Sequence, residues 1–170
     1  MELPVLTSPV AQRPWYADGL AFHCTQCGNC CTGPPGVVWI SDQEIAALAD
    51  HLGLTPQETV QRYCHQVGGR FSLTESRNPN HGGYDCVFLR ELPAEVGDGQ
   101  TIVHAQRNCS IYPVRPLQCR SWPFWKSCLT SPEAWAGAGQ RCPGIGQGPV
   151  LCQQEIESAR DQLPAAAEPE

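Results

Sequence analysis

The sequence predicts a small α+β fold, irregular and metal-stapled, with a helical hairpin, short strands and long loops rich in proline and glycine. Three observations point there. Four of the eleven cysteines fall within eight residues, Cys24-Thr25-Gln26-Cys27-Gly28-Asn29-Cys30-Cys31, and a C-x2-C step lets two thiolates converge on one metal ion. Two helix-start signals stand in succession at Ser41 and Thr55. The 16 glycines and 16 prolines among 170 residues punctuate the chain too often for long regular elements. That length suits one domain with a modest core, for which bound metal would compensate. We place the cysteine-cluster domain at 13–160, between an N-terminal arm at 1–12 and a Pro/Ala/Glu-rich tail at 161–170.

The elements follow in order. Val37-Val38-Trp39-Ile40 is a short apolar run of strand type. Ser41-Asp42-Gln43-Glu44 is a capping box, in which the serine hydroxyl and the glutamate satisfy each other's backbone N–H groups. Ile45, Leu48, Ala49 and Leu52 follow at helical spacing and Gly53 stops the helix. Thr55-Pro56-Gln57-Glu58 repeats the device with proline at the first helical position and opens a second helix to about Cys64, completing the hairpin. Residues 68–84 read as loop around a weak strand, Arg70 to Leu73. Cys86 to Leu89 and Thr101 to His104 read as two strands joined by the loop around Gly97-Asp98-Gly99. Ser131-Pro132-Glu133 starts one short helix and residues 153–163 form another.

The cysteine pattern is chemical rather than structural in the disulfide sense. Secreted disulfide scaffolds are shorter, denser in cysteine and preceded by a signal peptide. Here the first ten residues lack a basic start and an uninterrupted apolar run, and eleven cysteines cannot all pair within one molecule. The expectation is a reduced, cytoplasmic protein. Gly28 permits the tight turn that aims backbone N–H groups at sulfur. Two adjacent cysteines are poorly placed to share one tetrahedral ion, so Cys30 and Cys31 are expected to reach different metals, or one of them is no ligand. A net charge of -6 argues against nonspecific nucleic-acid binding, and no apolar stretch approaches a membrane span.

A second concentration of chemistry runs from Cys109-Ser110-Ile111-Tyr112-Pro113 to Cys119-Arg120-Ser121-Trp122-Pro123-Phe124-Trp125. Two prolines, Pro113 and Pro116, fix the turn between its cysteines, and the aromatics after Cys119 are suited either to shielding a metal centre from water or to ordinary core packing. Arg115 and Arg120 bracket Cys119. They are candidates for holding a carboxylate or phosphate, or for balancing thiolate charge. Cys142-Pro143-Gly144 adds a further candidate ligand in a turn.

Taken in order, the block from Phe22 to Cys31, Asp85-Cys86-Val87-Phe88-Leu89, Cys109 to Arg120 and Cys142-Pro143-Gly144-Ile145-Gly146 resembles the YkgJ-type CxxCxxCC family. That family is a zinc- or iron-chelating domain related to flagellin lysine N-methylase. Carried over by position, the resemblance implies the ligand set Cys24, Cys27, Cys30, Cys31, Cys86, Cys109, Cys119 and Cys142. Such a set serves two zinc sites of four thiolates each, or an iron–sulfur cluster with some cysteines left over, and cluster-containing relatives favour iron–sulfur. Cys64, Cys128 and Cys152 fall outside it.

Three function classes are consistent with this set. A metal or iron–sulfur module for metal handling, redox or assembly is supported directly by the ligands. A methyltransferase resembling flagellin lysine N-methylase is disfavoured by the short chain and by the lack of C-x3-C-x2-C and G-x-G-x-x-G motifs. A structural zinc protein that serves as a partner-binding module is the third. The expected partner is a protein or a small anionic substrate, with no nucleic acid and no membrane.

Overall fold

The computed structural model describes residues 13–91 and 107–163, together with the backbone of 96–97 and 101–102. Ser41 and Thr55 start helices as the sequence requires. In α1 (Asp42–Leu52) the Glu44 N–H donates to Ser41 Oγ at 3.3 Å while Ser41 N–H donates to Glu44 Oε2 at 2.8 Å. In α2 (Pro56–Tyr63) Thr55 and Glu58 repeat the exchange at 3.2 and 2.9 Å. Such reciprocal caps satisfy donors that the first turn would otherwise orphan. Gly53 ends α1 at φ 66°, the left-handed backbone that glycine adopts without cost from a Cβ. The helix buries Ile45, Leu48 and Ala49.

The strands are short. In chain order they are β1 (Leu20–Phe22), β2 (Thr32–Gly33), β3 (Trp39–Ile40), β4 (Cys64–Val67), β5 (Arg70–Leu73), β6 (Glu75–Arg77), β7 (Tyr84–Cys86), β8 (Leu89–Glu91), β9 (Val96–Gly97), β10 (Thr101–Ile102), β11 (Arg107–Cys109) and β12 (Ile145–Leu151). They pair antiparallel in small sheets, β3-β5-β4 and β2-β7-β6 with three strands each, and β1-β12, β8-β11 and β9-β10 with two. Four further helices follow or separate the late strands: α3 (Leu117–Ser121), α4 (Lys126–Leu129), α5 (Pro132–Gly139) and α6 (Gln153–Gln162), the last ending on the buried Leu163.

Two sequence expectations are corrected. The strand expected at Arg70–Leu73 is present as β5, the central strand of its sheet, but the rest of 68–84 is not all loop: β6 and Tyr84, the first residue of β7, also lie within it. Ser72 explains the central position, since its buried hydroxyl accepts Val38 N–H at 3.0 Å and donates to Leu73 O at 3.1 Å. The run Cys86 to Leu89 is broken at Val87-Phe88, because Phe88 turns into the core at 1% exposure. Cys86 therefore ends β7 while Leu89 opens β8, whose partner is β11; Thr101–Ile102 pairs with Val96–Gly97 instead. Residues 103–104, the arm at 1–12 and the tail from 164 lie outside the described residues.

Apolar side chains gather in two cores. One holds Tyr16, Phe124, Cys128, Leu129, Trp135 and Ile156, the other Ile40, Ile45, Leu48, Leu73, Phe88 and Ile111. Gln118 ties their surroundings together from α3. Its Oε1 accepts Trp39 N–H at 2.8 Å, its Nε2 donates to Val37 O at 2.9 Å, and its own carbonyl accepts Trp125 Nε1–H at 3.2 Å. A buried side-chain amide satisfied at both ends fixes the approach of the segments it joins.

Candidate metal centre

Between the two cores lies a cavity of about 170 Å³ whose walls include Cys24, Cys27, Cys30, Cys31, Cys86, Cys109, Cys119 and Cys142. All eight positions implied by the family resemblance thus reach one space. The other three cysteines do not line it: Cys64 is half-buried in β4, Cys128 belongs to the first core, and Cys152 is exposed at the start of α6. Phe22, Trp122 and Trp125, which pack against the first core, close one part of the wall; Val38, Leu73 and Ile111 close another.

The knuckle is shaped by its backbone. Gln26 and Gly28 take positive φ values of 56° and 72°, and a 3-10 turn over Asn29–Cys31 follows, with Cys31 N–H donating to Gly28 O at 2.9 Å. A Cβ at Gly28 would also lie 2.8 Å from the Leu89 side chain, so both conformation and space call for glycine there. The turn sets Cys30 Sγ and Cys31 Sγ 3.9 Å apart. The 3-10 backbone thus holds the two sulfurs within hydrogen-bonding reach of each other.

Cys31 leads into β2, which pairs with β7 so that Thr32 faces Asp85, the neighbour of Cys86. Cys109 ends β11 opposite Leu89. Cys119 is carried by α3, and Cys142 sits in a turn docked on the end of β1, where His23 N–H donates to Gly144 O at 3.1 Å. That docking requires glycine, since a Cβ on Gly144 would collide with the His23 carbonyl. Short strands, turns and the helix α3, from five parts of the chain, therefore deliver the thiols.

The thiols act on one another. Hydrogen bonds from the Cys31 thiol lower Cys30 and Cys109 to about 7, against burial that pushes the other way. Donation to Cys109 and then to Cys30 raises Cys31 correspondingly. Burial lifts Cys86 to about 11 and is the first cause raising Cys119. Cys24 accepts from the Tyr112 hydroxyl, the leading reason that tyrosine is raised. Among the described residues no three His, Cys, Asp or Glu side chains already stand in metal-holding geometry. The donor set itself fits soft metals, because thiolates bind zinc and iron–sulfur clusters.

The two arginines singled out in the sequence part company. Arg115 lines the cavity; its guanidinium lies 3.6 Å over the Tyr112 ring and Nε donates to Tyr112 O at 3.1 Å. Arg120 does not line it and reaches Glu44 instead, at 3.7 Å. Sequence reasoning missed Arg141, Arg107, Asn29 and Tyr112. Arg141 Nη2 donates to Thr32 O at 2.8 Å, Asn29 Nδ2 donates to Arg141 O at 2.9 Å, and Arg107 Nη2 donates to Asn29 Oδ1. Their only sequence signal is position, within three residues of a candidate ligand.

A cavity walled by eight cysteines, set among short strands and turns, defines a chelating protein for soft metal ions. The chain belongs to the CxxCxxCC family, described as "Putative zinc- or iron-chelating domain", whose model matches residues 23–152. It is 30% identical over 109 residues to an uncharacterized protein of Methanocaldococcus jannaschii, a match that covers 64% of this chain and 48% of that protein. The chain thus spans about half the length of this curated relative. No solved structure matches it. No helix among the described residues is long and apolar enough to cross a membrane.

Proposed function

We propose that this protein holds an iron–sulfur cluster in its cysteine cavity and acts in metal handling, redox or cluster assembly in a reducing, cytoplasmic setting. One observation carries the reading: the eight family-position cysteines line a single space and the remaining three do not. The size of that space favours a multi-atom group. A single water needs about 10–15 Å³ of such space, whereas the cavity offers about 170 Å³. An iron–sulfur cluster supplies one-electron chemistry when bound. The chain's own residues hold it with thiolates, exclude water with Trp122 and Trp125, and place Arg115 beside the charge.

Two four-thiolate zinc sites are the second reading. The position between two cores favours it, since structural zinc staples segments that could not otherwise pack. Anaerobic purification followed by iron, zinc and acid-labile sulfide analysis decides. Iron with matching sulfide and a visible charge-transfer band sustains the cluster; stoichiometric zinc without sulfide replaces it by the second reading. Absence of bound metal overturns both.

A further inference from the structure

Several arginines of this chain are ion-paired and several are not; Arg90, outside the cavity wall, donates to the carbonyls of Val87 and Leu89. Arg13, Arg62, Arg120 and Arg160 each lie within 4.0 Å of an Asp or Glu oxygen. Arg107, Arg115 and Arg141 donate to Asn29 Oδ1, Tyr112 O and Thr32 O, all neutral acceptors, and none is within ion-pair distance of a carboxylate among the described residues. The chain has 17 acidic residues against 11 basic ones, so carboxylates are in excess, and yet none among the described residues lines the cavity. Three guanidiniums held by neutral groups make a local field opposite in sign to the protein's own net charge.

Arg115 is the best prepared of the three. Tyr112 covers one face of its guanidinium and the Tyr112 carbonyl takes Nε. The Tyr112 hydroxyl also meets the guanidinium, and paired N–H groups held in one plane can grip an oxyanion with two parallel hydrogen bonds. Arg141 also lines the cavity, and Arg107 reaches it through Asn29, another wall residue. Thiolates account for part of this charge. They do not account for the stacking that fixes the Arg115 plane, because charge balance alone needs no orientation.

We propose that the cavity rim is a binding site for a small oxyanion, a carboxylate- or phosphate-bearing ligand, gripped by Arg115 and steered by Arg107 and Arg141 to a place beside the metal centre. The proposal builds on the metal-centre reading but stands on the arginines, so the two fail separately. The site would serve a substrate or ligand that meets the metal from the open side of the cavity.

The test uses the protein as purified anaerobically, titrated with citrate and with inorganic phosphate and followed by calorimetry, with chloride at matched ionic strength as the screening control. Metal and sulfide are counted on the same samples. Saturable binding of citrate or phosphate above the chloride control supports the site, and the tighter of the two names the group it prefers. Arg115→Lys keeps the charge and loses the fork, and should weaken that binding about tenfold or more; Arg141→Gln should weaken it less, and Arg62→Gln, outside the cavity, should leave it unchanged. Absence of saturable binding of either anion to the wild type overturns the proposal. So does an affinity that Arg115→Lys and Arg141→Gln leave intact. A metal count of zero would overturn the metal-centre reading alone, since anion binding lost in Arg115→Lys would still assign the rim.

Discussion

Cys30 Sγ and Cys31 Sγ lie 3.9 Å apart, close to the separation of about 3.8 Å that tetrahedral geometry sets between two thiolates each about 2.3 Å from one zinc ion. Adjacent residues in extended backbone point to opposite faces; the 3-10 turn over Asn29–Cys31 removes that obstacle. We therefore expect the two sulfurs to serve the same metal centre. The expected result is non-additivity: Cys30→Ser and Cys31→Ser each lose the same metal equivalent, and the double variant loses no more than either. Metal analysis of the three proteins checks it, and a double variant that loses twice the metal would assign the two cysteines to different centres.

Metal removal should melt the domain, not merely empty a pocket. The cavity walls come from segments between residues 22 and 142 and touch both apolar cores, so a bound metal would be a further attachment shared by both halves. Thiolate-bound zinc contributes about 10–16 kcal/mol of apparent free energy in small domains, comparable to the whole stability of a domain of this size, about 5–15 kcal/mol. Circular dichroism during chelation under reducing conditions should show loss of the cooperative transition. An unchanged melting curve would mean that the cysteines are not structural ligands.

The bystander cysteines give the complementary test. Cys64→Ser and Cys152→Ser alter a half-buried strand residue and an exposed cap, and both should keep full metal. Cys128→Ser places a hydroxyl in an aromatic core and should lower stability by about 1–3 kcal/mol while also keeping the metal. Serine at Cys24, Cys27, Cys86, Cys109, Cys119 or Cys142 should lose metal or solubility. Metal lost with Cys64→Ser and retained with Cys119→Ser would reverse the ligand assignment.

These assignments show what was legible in the chain and what was not. The two capping boxes were readable because Ser41 with Glu44 and Thr55 with Glu58 satisfy each other within one turn, a purely local interaction. The eight cysteines that line the cavity were readable as candidates only as an ordered pattern of blocks, since nothing in local propensity brings Cys31 to Cys86. Strand pairing was not readable: β2, β7 and β11 have two or three residues each, too few for a periodic signal. The break at Val87-Phe88 depends on Phe88 entering a core whose other members lie far away in sequence. Arg120 looked equivalent to Arg115 in sequence, yet one position in α3 turns it to Glu44.

Gly144→Ala tests how tightly the Cys142 turn must dock. The added methyl would meet the His23 carbonyl, a backbone atom that cannot swing aside. Overpacking of this kind costs about 1–3 kcal/mol, and relief requires the turn to leave β1 and take Cys142 with it. Lower thermal stability together with reduced metal content is the expected pair of results. Reduced stability with full metal would show that Cys142 is held by something other than this docking.

His81 fastens β2 to β7 and so sets Cys31 beside Cys86. Gly83 N–H donates to its Nδ1 at 3.1 Å, which leaves the ring proton on Nε2, facing Asp85 Oδ1 at 3.1 Å and Thr32 Oγ1 at 3.3 Å. Burial pulls the Asp85 carboxyl up, but hydrogen bonds from Thr32 and Asn78 and the adjoining His81 outweigh it and hold the group below its ordinary value. A carboxyl lowered on folding contributes stability above its unfolded value of about 3.9, and that contribution disappears as pH falls through the folded value; at neutral pH the clasp is fully formed. His81→Ala should cost about 1 kcal/mol for the lost hydrogen bonds and speed the transfer of metal to a competing chelator at pH 7. His81→Gln, which offers an acceptor to Gly83 and a donor to Asp85, should recover most of both effects. Metal transfer at the wild-type rate in His81→Ala would show that β2 and β7 hold their register without the clasp, and that His81 takes no part in positioning the thiolates.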